Sequence, residues 1–371
     1  MEIDLSQYDY HLPRERIAQV PSPRREESRL LVLERSRPGV QAAHFFEIGR
    51  FLRPGDLLVL NDARVFPARL RCRRPSGGRV EVLLCSSLPG DPPRWEALVR
   101  PTRAARGVGP LTIEGAAGQV RIVTQERTQE GADEGGGRFQ VEVLRAGVPL
   151  HPQAVHALCE EVGEVPLPPY IAREPGDSRR ELDRERYQTV YARAPGAMAA
   201  PTAGLHFTEA LLDDLRRAGI ETQAVTLTVG LGTFQPLREG TLRKGRLHPE
   251  PVAISLEAGR RILAAHREGR RVVAVGTTTA RALESWAMAG TPLVEGDGGD
   301  GGWRARTELF IAPGHRFALV TALVTNFHLP RSSLLCLVST LAGRERILEA
   351  YRKALEADFR FYSYGDAMLI A

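Results

Sequence analysis

The hydrophobic pattern of the chain changes period near residue 150, and this change constrains the fold more than any other feature. From Arg64 to about Leu150, short runs such as "GRVEVLL", "RWEALVR" and "RFQVEVL" alternate apolar and polar residues between Gly- and Pro-rich turns. This alternation is typical of β-strands with one buried face. After residue 150, amphipathic helical segments alternate with short apolar runs. The sequence therefore predicts a layered α/β domain, residues 1–63 and 151–371, interrupted by an inserted all-β domain, residues 64–150.

Several elements of the predicted α/β domain have marked ends. Thr208 is placed to cap a helix over residues 208–218, because its hydroxyl can accept a hydrogen bond from an N–H group of the first turn. Ser255 stands in the same position before "LEAGRRILAAHREG". The continuous apolar run Val272–Val275 is typical of a parallel strand that is buried on both faces.

Composition excludes several classes of protein. With 371 residues, of which 43% are apolar, the chain can bury more than one core. Its four cysteines form no C-x-x-C pair, which argues against a disulfide framework or a cysteine zinc site. Residues 1–13 carry three acidic residues where a signal peptide is basic, and no apolar run reaches the ~18 residues of a spanning helix. We expect a cytoplasmic protein without a membrane contact.

Positive charge is concentrated in the predicted β domain. Between Arg64 and Arg106 there are ten Arg and three acidic residues, a net charge of +7, whereas the whole chain carries +5. Such charge binds phosphate backbones, and Trp95 or Phe66 would supply a stacking surface for single-stranded or looped RNA. The alternative is a solvated Arg-rich face, since the chain uses 48 Arg and only two Lys. Charge alone leaves both interpretations open.

Polar residues follow two predicted strands. The segments "VVAVGTTTARALESW", 272–286, and "ALVTALVTNFHLPRSSLLCLV", 318–338, each run from a buried strand through polar residues into a helix. Ligands of open α/β sheets bind at the carboxyl ends of strands, near free N–H groups of helices. With "APTAGLHFT", 200–208, these junctions predict one cleft lined by His206, Asn326, His328 and Thr277–Thr279. Two alternatives stay open: a structural role for each His, and a helix-capping role for the three Thr.

The chain resembles the S-adenosylmethionine:tRNA ribosyltransferase-isomerase family of queuosine synthesis in nine segments that follow one another along nearly the whole sequence. These segments are "YDYHLPRERIAQVPSPRREESRLLVL" (8–33), "PGDLLVLNDARVFPARL" (54–70), "PLPPYI" (166–171), "RYQTVYA" (186–192), "GAMAAPTAGLHFT" (196–208), "VTLTVGLGTFQP" (225–236), "VGTTTARALES" (275–285), "ALVTNFHLPRSSLL" (322–335) and "FYSYGDAMLI" (361–370).

The resemblance implies an α/β catalytic domain interrupted by a β-barrel. It also implies a reaction in which the ribosyl part of S-adenosylmethionine is transferred to 7-aminomethyl-7-deazaguanine at the wobble position of tRNA and isomerised, which yields epoxyqueuosine-tRNA, adenine and methionine. S-adenosylmethionine is a consumed substrate, so no cofactor and no metal are expected. The expected partners are S-adenosylmethionine and the modified tRNA, and the protein is expected to be a monomer.

The implied chemistry needs a base and an acid. Hydrogens beside a sulfonium are acidic, and adenine leaves more readily when a ring nitrogen is protonated. We hypothesise that His206 and His328 fill these roles in an unassigned order. Asp366 is a third candidate, either near the sulfonium or as the partner that fixes a histidine tautomer. A simple turn role for Asp366 after Gly365 stays open.

Binding residues are proposed on the same basis. The residues expected to bind S-adenosylmethionine are Thr277, Thr278, Arg281 and Asn326, with Asn61, Asp62 and Arg64 contacting substrate or shaping the hinge between domains. Glu284, one helical turn beyond Arg281, is a weaker candidate for the same ligand, and the alternative is that it only pairs with Arg281. The residues expected to bind tRNA are Arg71, Arg73, Arg74 and Arg79.

Three positions depart from the family pattern. Thr228 stands where the family commonly has His, Ala63 stands where it has Thr, and "RKGRLHPE" retains only His248 and Glu250 of a stretch that often carries two His. Two rival classes remain. A conventional methyltransferase would need a glycine-rich strand–loop–helix motif that this sequence lacks, and a pure RNA-binding module would not need organised polar junctions.

Overall fold

A computed structural model describes residues 3–102, 109–125, 137–174, 176–230, 245–296 and 301–371. The strands are β1 (Arg29–Leu33), β2 (Gln41–His44), β3 (Leu57–Asn61), β4 (Ala63–Val65), β5 (Arg69–Arg73), β6 (Arg79–Leu88), β7 (Arg94–Arg100), β8 (Leu111–Ile113), β9 (Gln119–Gln125), β10 (Gly137–Arg145), β11 (Val148–Pro149), β12 (Ala194–Ala197), β13 (Glu221–Leu227), β14 (Arg246–Ser255), β15 (Val272–Val275), β16 (Gly302–Leu309), β17 (Ala322–Asn326) and β18 (Ala367–Ile370). The α-helices are α1 (Pro152–Val162), α2 (Arg180–Arg186), α3 (Glu209–Arg217), α4 (Leu256–Arg267), α5 (Thr277–Met288), α6 (Ser333–Ala342) and α7 (Arg344–Glu356). Short 3-10 helices span Leu5–Tyr8, Arg14–Arg16, Arg25–Glu27, Phe45–Arg50 and Thr202–His206.

A nine-stranded sheet organises the α/β part, in the order β16-β14-β13-β3-β15-β17-β18-β1-β2. Four strands in its middle, β13, β3, β15 and β17, run parallel to one another, and antiparallel strands β14 and β18 flank them. Along β3, Leu57 and Val59 belong to one hydrophobic core, whereas Leu58 and Leu60 belong to another on the opposite face. This period of two lets helices cover both faces. The predicted layered α/β architecture is confirmed.

The inserted β domain is a closed barrel. Strands follow the order β10-β7-β6-β5-β8-β9, and β9 pairs again with β10, which closes the ring. This part of the fold prediction is also confirmed. Helix α1 packs on the barrel, because its buried residues Val155, Leu158 and Cys159 share the barrel core. The predicted junction at residue 150 therefore falls just before a helix whose apolar side belongs to the barrel.

Predicted helix starts agree with the structure. Thr208 and Ser255 accept hydrogen bonds of 3.2 Å from the N–H groups of Leu211 and Ala258, at the first turns of α3 and α4. Each bond satisfies one of the N–H groups that a helix leaves unpaired at its start. Within the described ranges no helix is long and apolar enough to span a membrane.

Candidate active site

The carboxyl ends of three strands meet at one edge of the large sheet. Val275 lies opposite Val324 in the parallel pair β15–β17, and Ala274 lies opposite Val59 in the pair β15–β3. The residues that follow these strands are therefore neighbours. The structure thus brings the two predicted polar junctions together and adds Asn61, at the end of β3.

Helix α5 begins at this edge without a side-chain cap. Its N-cap is Gly276, whose φ of +93° lies in the region that favours glycine. Thr279 donates a hydrogen bond of 2.7 Å to the carbonyl of Val275, the last residue of β15, and Thr278 accepts one of 3.1 Å from Asn61. The helix-cap alternative for the three threonines is therefore wrong, and the N–H groups of the first turn point to the edge.

His206 ends the 3-10 helix Thr202–His206 and is buried beside this edge. Its Nδ1 lies 2.7 Å from Oγ of Ser28, and its Nε2 lies 3.1 Å from the amide nitrogen of Asn326. The turn reaches this position through Gly204, where a Cβ would lie 1.9 Å from the hydroxyl of Tyr191. Only glycine fits such a close approach.

Both predicted catalytic histidines are neutral at pH 7. Burial, together with the nearby Arg360 and Arg25 guanidinium groups, lowers the pKa of His206 from 6.5 to about 3. Burial alone lowers the pKa of His328 from 6.5 to about 3. Loss of hydration disfavours the charged imidazolium in each case.

His328 is held through its backbone and through one ring nitrogen. Its N–H donates to the hydroxyl of Tyr351 at 3.0 Å, and its carbonyl accepts from the hydroxyl of Tyr10. Nε2 lies 2.8 Å from Oγ1 of Thr325. Nδ1 has no hydrogen-bond partner among the described residues. His328 therefore keeps one ring nitrogen available for a ligand.

Asp366 hydrogen-bonds to neither histidine within the described ranges. Its carboxylate accepts from the backbone N–H groups of Arg29, at 3.0 Å, and Arg360, at 2.7 Å. These bonds tie the starts of the parallel strands β1 and β18 together. Because Ser28 precedes Arg29, the carboxylate also fixes the residue that contacts His206. The partner that Asp366 was expected to provide for a histidine tautomer is supplied by Ser28 and Asn326.

Asn61 joins two strands to α5. Its amide nitrogen donates to the carbonyl of Leu227 at 3.0 Å, in addition to its bond with Thr278, and its oxygen accepts from the N–H groups of Leu227 and Ala63. Asn61 is fully buried, so its amide is saturated by protein. The N–H group of Ala63 is thus engaged even though its side chain has no hydroxyl.

Asp62 and Arg64 point to other elements. Asp62 accepts a hydrogen bond of 2.6 Å from Thr226, and burial raises the pKa of its carboxyl group. Arg64 is half exposed and pairs with Glu160 at 3.1 Å, next to the barrel. Of the three residues expected at the hinge, Asn61 is therefore the one that bonds to the strand-edge site.

Arg281 and Glu284 have partners other than each other. Arg281 forms a buried ion pair with Glu250, and its Nη2 has no hydrogen-bond partner in the described part of the chain. Glu284 accepts from the backbone N–H groups of residues 318–320, at 2.8 to 3.0 Å. The alternative of a pair between Arg281 and Glu284 is therefore wrong, because each side chain has its own partners.

The barrel surface carries less free positive charge than the number of Arg residues in its sequence predicts. Arg71 binds Glu164 through two hydrogen bonds, of 2.6 and 2.8 Å, and Arg73 pairs with Glu114 at 2.8 Å. Both carboxylates lie outside residues 64–106, the segment with the net charge of +7. Arg74 and Arg79 form no ion pair in the described ranges and lie at the end of the β5–β6 hairpin.

The predicted stacking surface is wrong. Trp95 and Phe66 are buried, with ring centroids 6.1 Å apart, and both rings pack on His156. They form part of the barrel core rather than its surface. A different feature opens between the barrel and α2, namely a cleft of about 620 Å³. Its described lining combines Arg side chains, such as Arg79 and Arg180, with an equal number of carboxylates, such as Glu81 and Asp177.

The sequence did not point to Ser28, Thr325 or Tyr362 as site residues. Tyr362 is buried and has a φ of +71°, a strained conformation for an aromatic residue, and its carbonyl accepts from Asn326 at 3.2 Å. Ser28 and Thr325 are bonded to the two histidines. All three lie within segments that carry the family resemblance, but neither their residue types nor their spacing points to a role in the site, so only their partners reveal them.

The fold and the site define an α/β enzyme with an inserted barrel, whose candidate active site lies at the carboxyl edge of parallel strands. A family model described as queuosine biosynthesis protein matches residues 5–370. The chain therefore belongs to the queuosine biosynthesis protein family.

Similar proteins agree with this assignment. An S-adenosylmethionine:tRNA ribosyltransferase-isomerase from Anaeromyxobacter sp. is 48% identical over 99% of both chains. A protein of the same name from Thermus thermophilus is 47% identical, again over 99% of both chains. The crystal structure of an S-adenosylmethionine tRNA ribosyltransferase from Thermotoga maritima matches with a TM-score of 0.52 at 34% identity, over 98% of this chain and 100% of that one.

Proposed function

We propose that this protein is an S-adenosylmethionine:tRNA ribosyltransferase-isomerase. The observation that carries this conclusion is the family match over residues 5–370, with relatives of that name at 48% and 47% identity. The protein transfers the ribosyl part of S-adenosylmethionine to the aminomethyl group of 7-aminomethyl-7-deazaguanine in tRNA and isomerises it. Epoxyqueuosine-tRNA, adenine and methionine are released. Such a protein acts in the cytoplasm, whereas the monomeric state and the lack of a further cofactor stay predictions.

S-adenosylmethionine binds at the strand edge in this proposal. The uncapped start of α5 offers N–H groups to an anionic group, such as the carboxylate of the methionine part. Thr277 and Thr278 stand at that start, and Nη2 of Arg281, which has no hydrogen-bond partner among the described residues, lies one turn further on. The amide oxygen of Asn326 is also buried and has no partner in the described part of the chain, so it suits a hydrogen-bond donor of the ligand.

A neutral histidine supplies the acid–base chemistry. With a pKa lowered to about 3 by burial, His328 carries no proton on one ring nitrogen at pH 7 and so begins as a base. It takes a proton from the carbon beside the sulfonium, whose electron pair stays on that carbon. When the bond between the ribosyl carbon and adenine breaks, its electron pair leaves with the adenine ring, and His328 returns the same proton to a ring nitrogen of adenine. The departure of adenine therefore needs no second acid.

The tRNA lies along the barrel in this proposal. Arg74 and Arg79 have no ion pair with described residues, which leaves their charge for phosphate groups. Arg71 and Arg73 are held by Glu164 and Glu114, so they shape this face more than they bind to it. The neighbouring cleft is lined, among the described residues, by as many carboxylates as Arg side chains, so the hairpin end rather than the cleft supplies the free positive charge.

The test is the release of adenine. Purified protein is incubated with S-adenosylmethionine and tRNA that carries 7-aminomethyl-7-deazaguanine, and the products are separated by chromatography. Adenine that forms only with the modified tRNA is expected, and tRNA with an unmodified guanine is the matched control. Demethylated S-adenosylmethionine in place of adenine would instead identify a methyltransferase, and failure to bind S-adenosylmethionine would favour a simple RNA-binding protein.

A further inference from the structure

The hydrogen bonds around His206 have one consistent direction. The amide nitrogen of Asn326 lies 3.1 Å from Nε2 of His206 and 3.2 Å from the carbonyl oxygen of Tyr362. A carbonyl oxygen only accepts, so the donor end of the amide must face this side. Nε2 of His206 therefore accepts, and a neutral imidazole that accepts at Nε2 carries its proton on Nδ1.

Ser28 accepts the hydrogen bond that the Nδ1 proton of His206 makes. Nδ1 of His206 donates to Oγ of Ser28 at 2.7 Å, which leaves the serine hydroxyl hydrogen for the carbonyl of Arg25 at 3.2 Å. Ser28 is buried, so no water competes for these bonds. Both ring nitrogens of His206 are thus occupied by protein, in contrast to His328, whose Nδ1 has no partner in the described part of the chain.

The open end of this chain of hydrogen bonds is the amide oxygen of Asn326. Asn326 is only 3% exposed, and Oδ1 has no partner among the described residues. A buried acceptor without a donor is costly to the folded protein, and such exceptions mark places where a ligand completes the bonding. His206 and Tyr362 hold the other end of the amide, so Oδ1 is fixed before a ligand arrives.

Building on the function proposed above, we infer that His206 is a positioning residue. His206 and Ser28 hold the amide of Asn326 so that Oδ1 accepts a hydrogen bond from an amino or hydroxyl hydrogen of the adenosyl part of S-adenosylmethionine. Proton transfer belongs to His328. Asp366 stabilises the same arrangement, because its carboxylate accepts a hydrogen bond from the N–H group of Arg29, the residue next to Ser28.

Steady-state kinetics separate positioning from proton transfer. In His206→Gln the Gln oxygen can still accept from Asn326, so kcat is expected to fall by no more than about tenfold, the weight of one hydrogen bond. Its pH profile should match that of the wild type. His328→Gln is expected to lose about 10²- to 10⁴-fold in kcat, as removal of a general base does. Ser28→Ala is expected to raise KM for S-adenosylmethionine more than it lowers kcat.

The contrary result is clear. A His206→Gln variant that melts like the wild type and binds S-adenosylmethionine, yet loses as much kcat as His328→Gln, would show that His206 transfers protons. The inference would then be overturned.

A second measurement does not depend on turnover. Nitrogen NMR of the wild-type protein labelled at histidine should show His206 as a neutral ring with its proton on Nδ1, and the signal is assigned by its loss in His206→Gln. Asn326→Asp cannot donate to Nε2, so the proton should move to that nitrogen. A wild-type ring protonated on Nε2 would overturn the positioning role even in an active enzyme, whereas an inactive wild type would overturn the proposed function instead.

Discussion

The amide nitrogen of Asn326 lies 3.1 Å from Nε2 of His206, although 120 residues separate them in the chain. Asn326 ends β17, a central strand of the large sheet, and His206 ends a 3-10 helix that packs against that strand end. The bond therefore joins the sheet to a turn that precedes α3. Any change that moves one of these elements also moves the candidate active site.

We expect the protein to lose stability in mild acid. Burial lowers the pKa values of His206 and His328 from 6.5 to about 3, so between these values the unfolded chain binds more protons than the native protein. The free energy of unfolding should therefore fall as the pH drops through this window, by about 1.4 kcal/mol per pH unit for each buried histidine. Urea denaturation at pH 7.5 and pH 5 measures the slope. His206→Gln should reduce this slope by the contribution of one histidine, because one fewer proton is taken up on unfolding. His248→Gln, at an exposed position of β14, is the control and should leave the slope unchanged.

Glu284 should contribute strongly to stability. Glu284→Leu leaves three N–H groups of residues 318–320 without their acceptor, in the segment that leads into β17. We expect a loss of about 3 kcal/mol or more in the free energy of unfolding, because buried donors without partners are costly. The matched control is Glu257→Leu on α4, whose side chain is 76% exposed. Equal effects of the two substitutions in urea denaturation would contradict this role of Glu284.

Substitutions in the pair between Arg281 and Glu250 should affect stability and S-adenosylmethionine binding differently. Arg281→Met leaves a buried carboxylate without its guanidinium and should cost about 3–5 kcal/mol. The double variant Arg281→Met with Glu250→Met removes both charges and should recover most of that loss. Calorimetric titration with S-adenosylmethionine should nevertheless show weak binding by the double variant, since the Nη2 donor is gone. Recovery of full affinity would exclude Arg281 from the binding site.

The end of the β5–β6 hairpin should bind tRNA through charge. Replacement of Arg74 and Arg79 by Ala is expected to weaken tRNA binding and to reduce the slope of log affinity against log salt by about 1–2. Filter binding at several salt concentrations measures both effects. The control is the replacement of Arg216 and Arg217 by Ala on the exposed side of α3, where Asp213 and Asp214 already pair with them. An unchanged slope in the hairpin variant would place the tRNA elsewhere.

The fold was largely predictable because its signals are local. The alternation of the barrel strands, the cap at Thr208 and the apolar run Val272–Val275 each depend on residues close together in the sequence. The structure confirms these elements and also brings the polar strand ends together, as the rule for parallel sheets predicts. The order of strands and polar residues in the sequence was therefore enough to predict that these strand ends are neighbours.

Hydrogen-bond partners were decided by the tertiary structure. The partner of His206 at Nδ1 is Ser28, 178 residues away, and Arg71 is neutralised by Glu164, 93 residues away. The sequence by itself determined which segments are strands, which are helices and which polar residues stand at their ends, because periodicity and capping act over a few residues. Which nitrogen of His206 carries its proton, and which arginines keep a free charge, was settled only by packing, since burial and long-range contacts have no local pattern to reveal them.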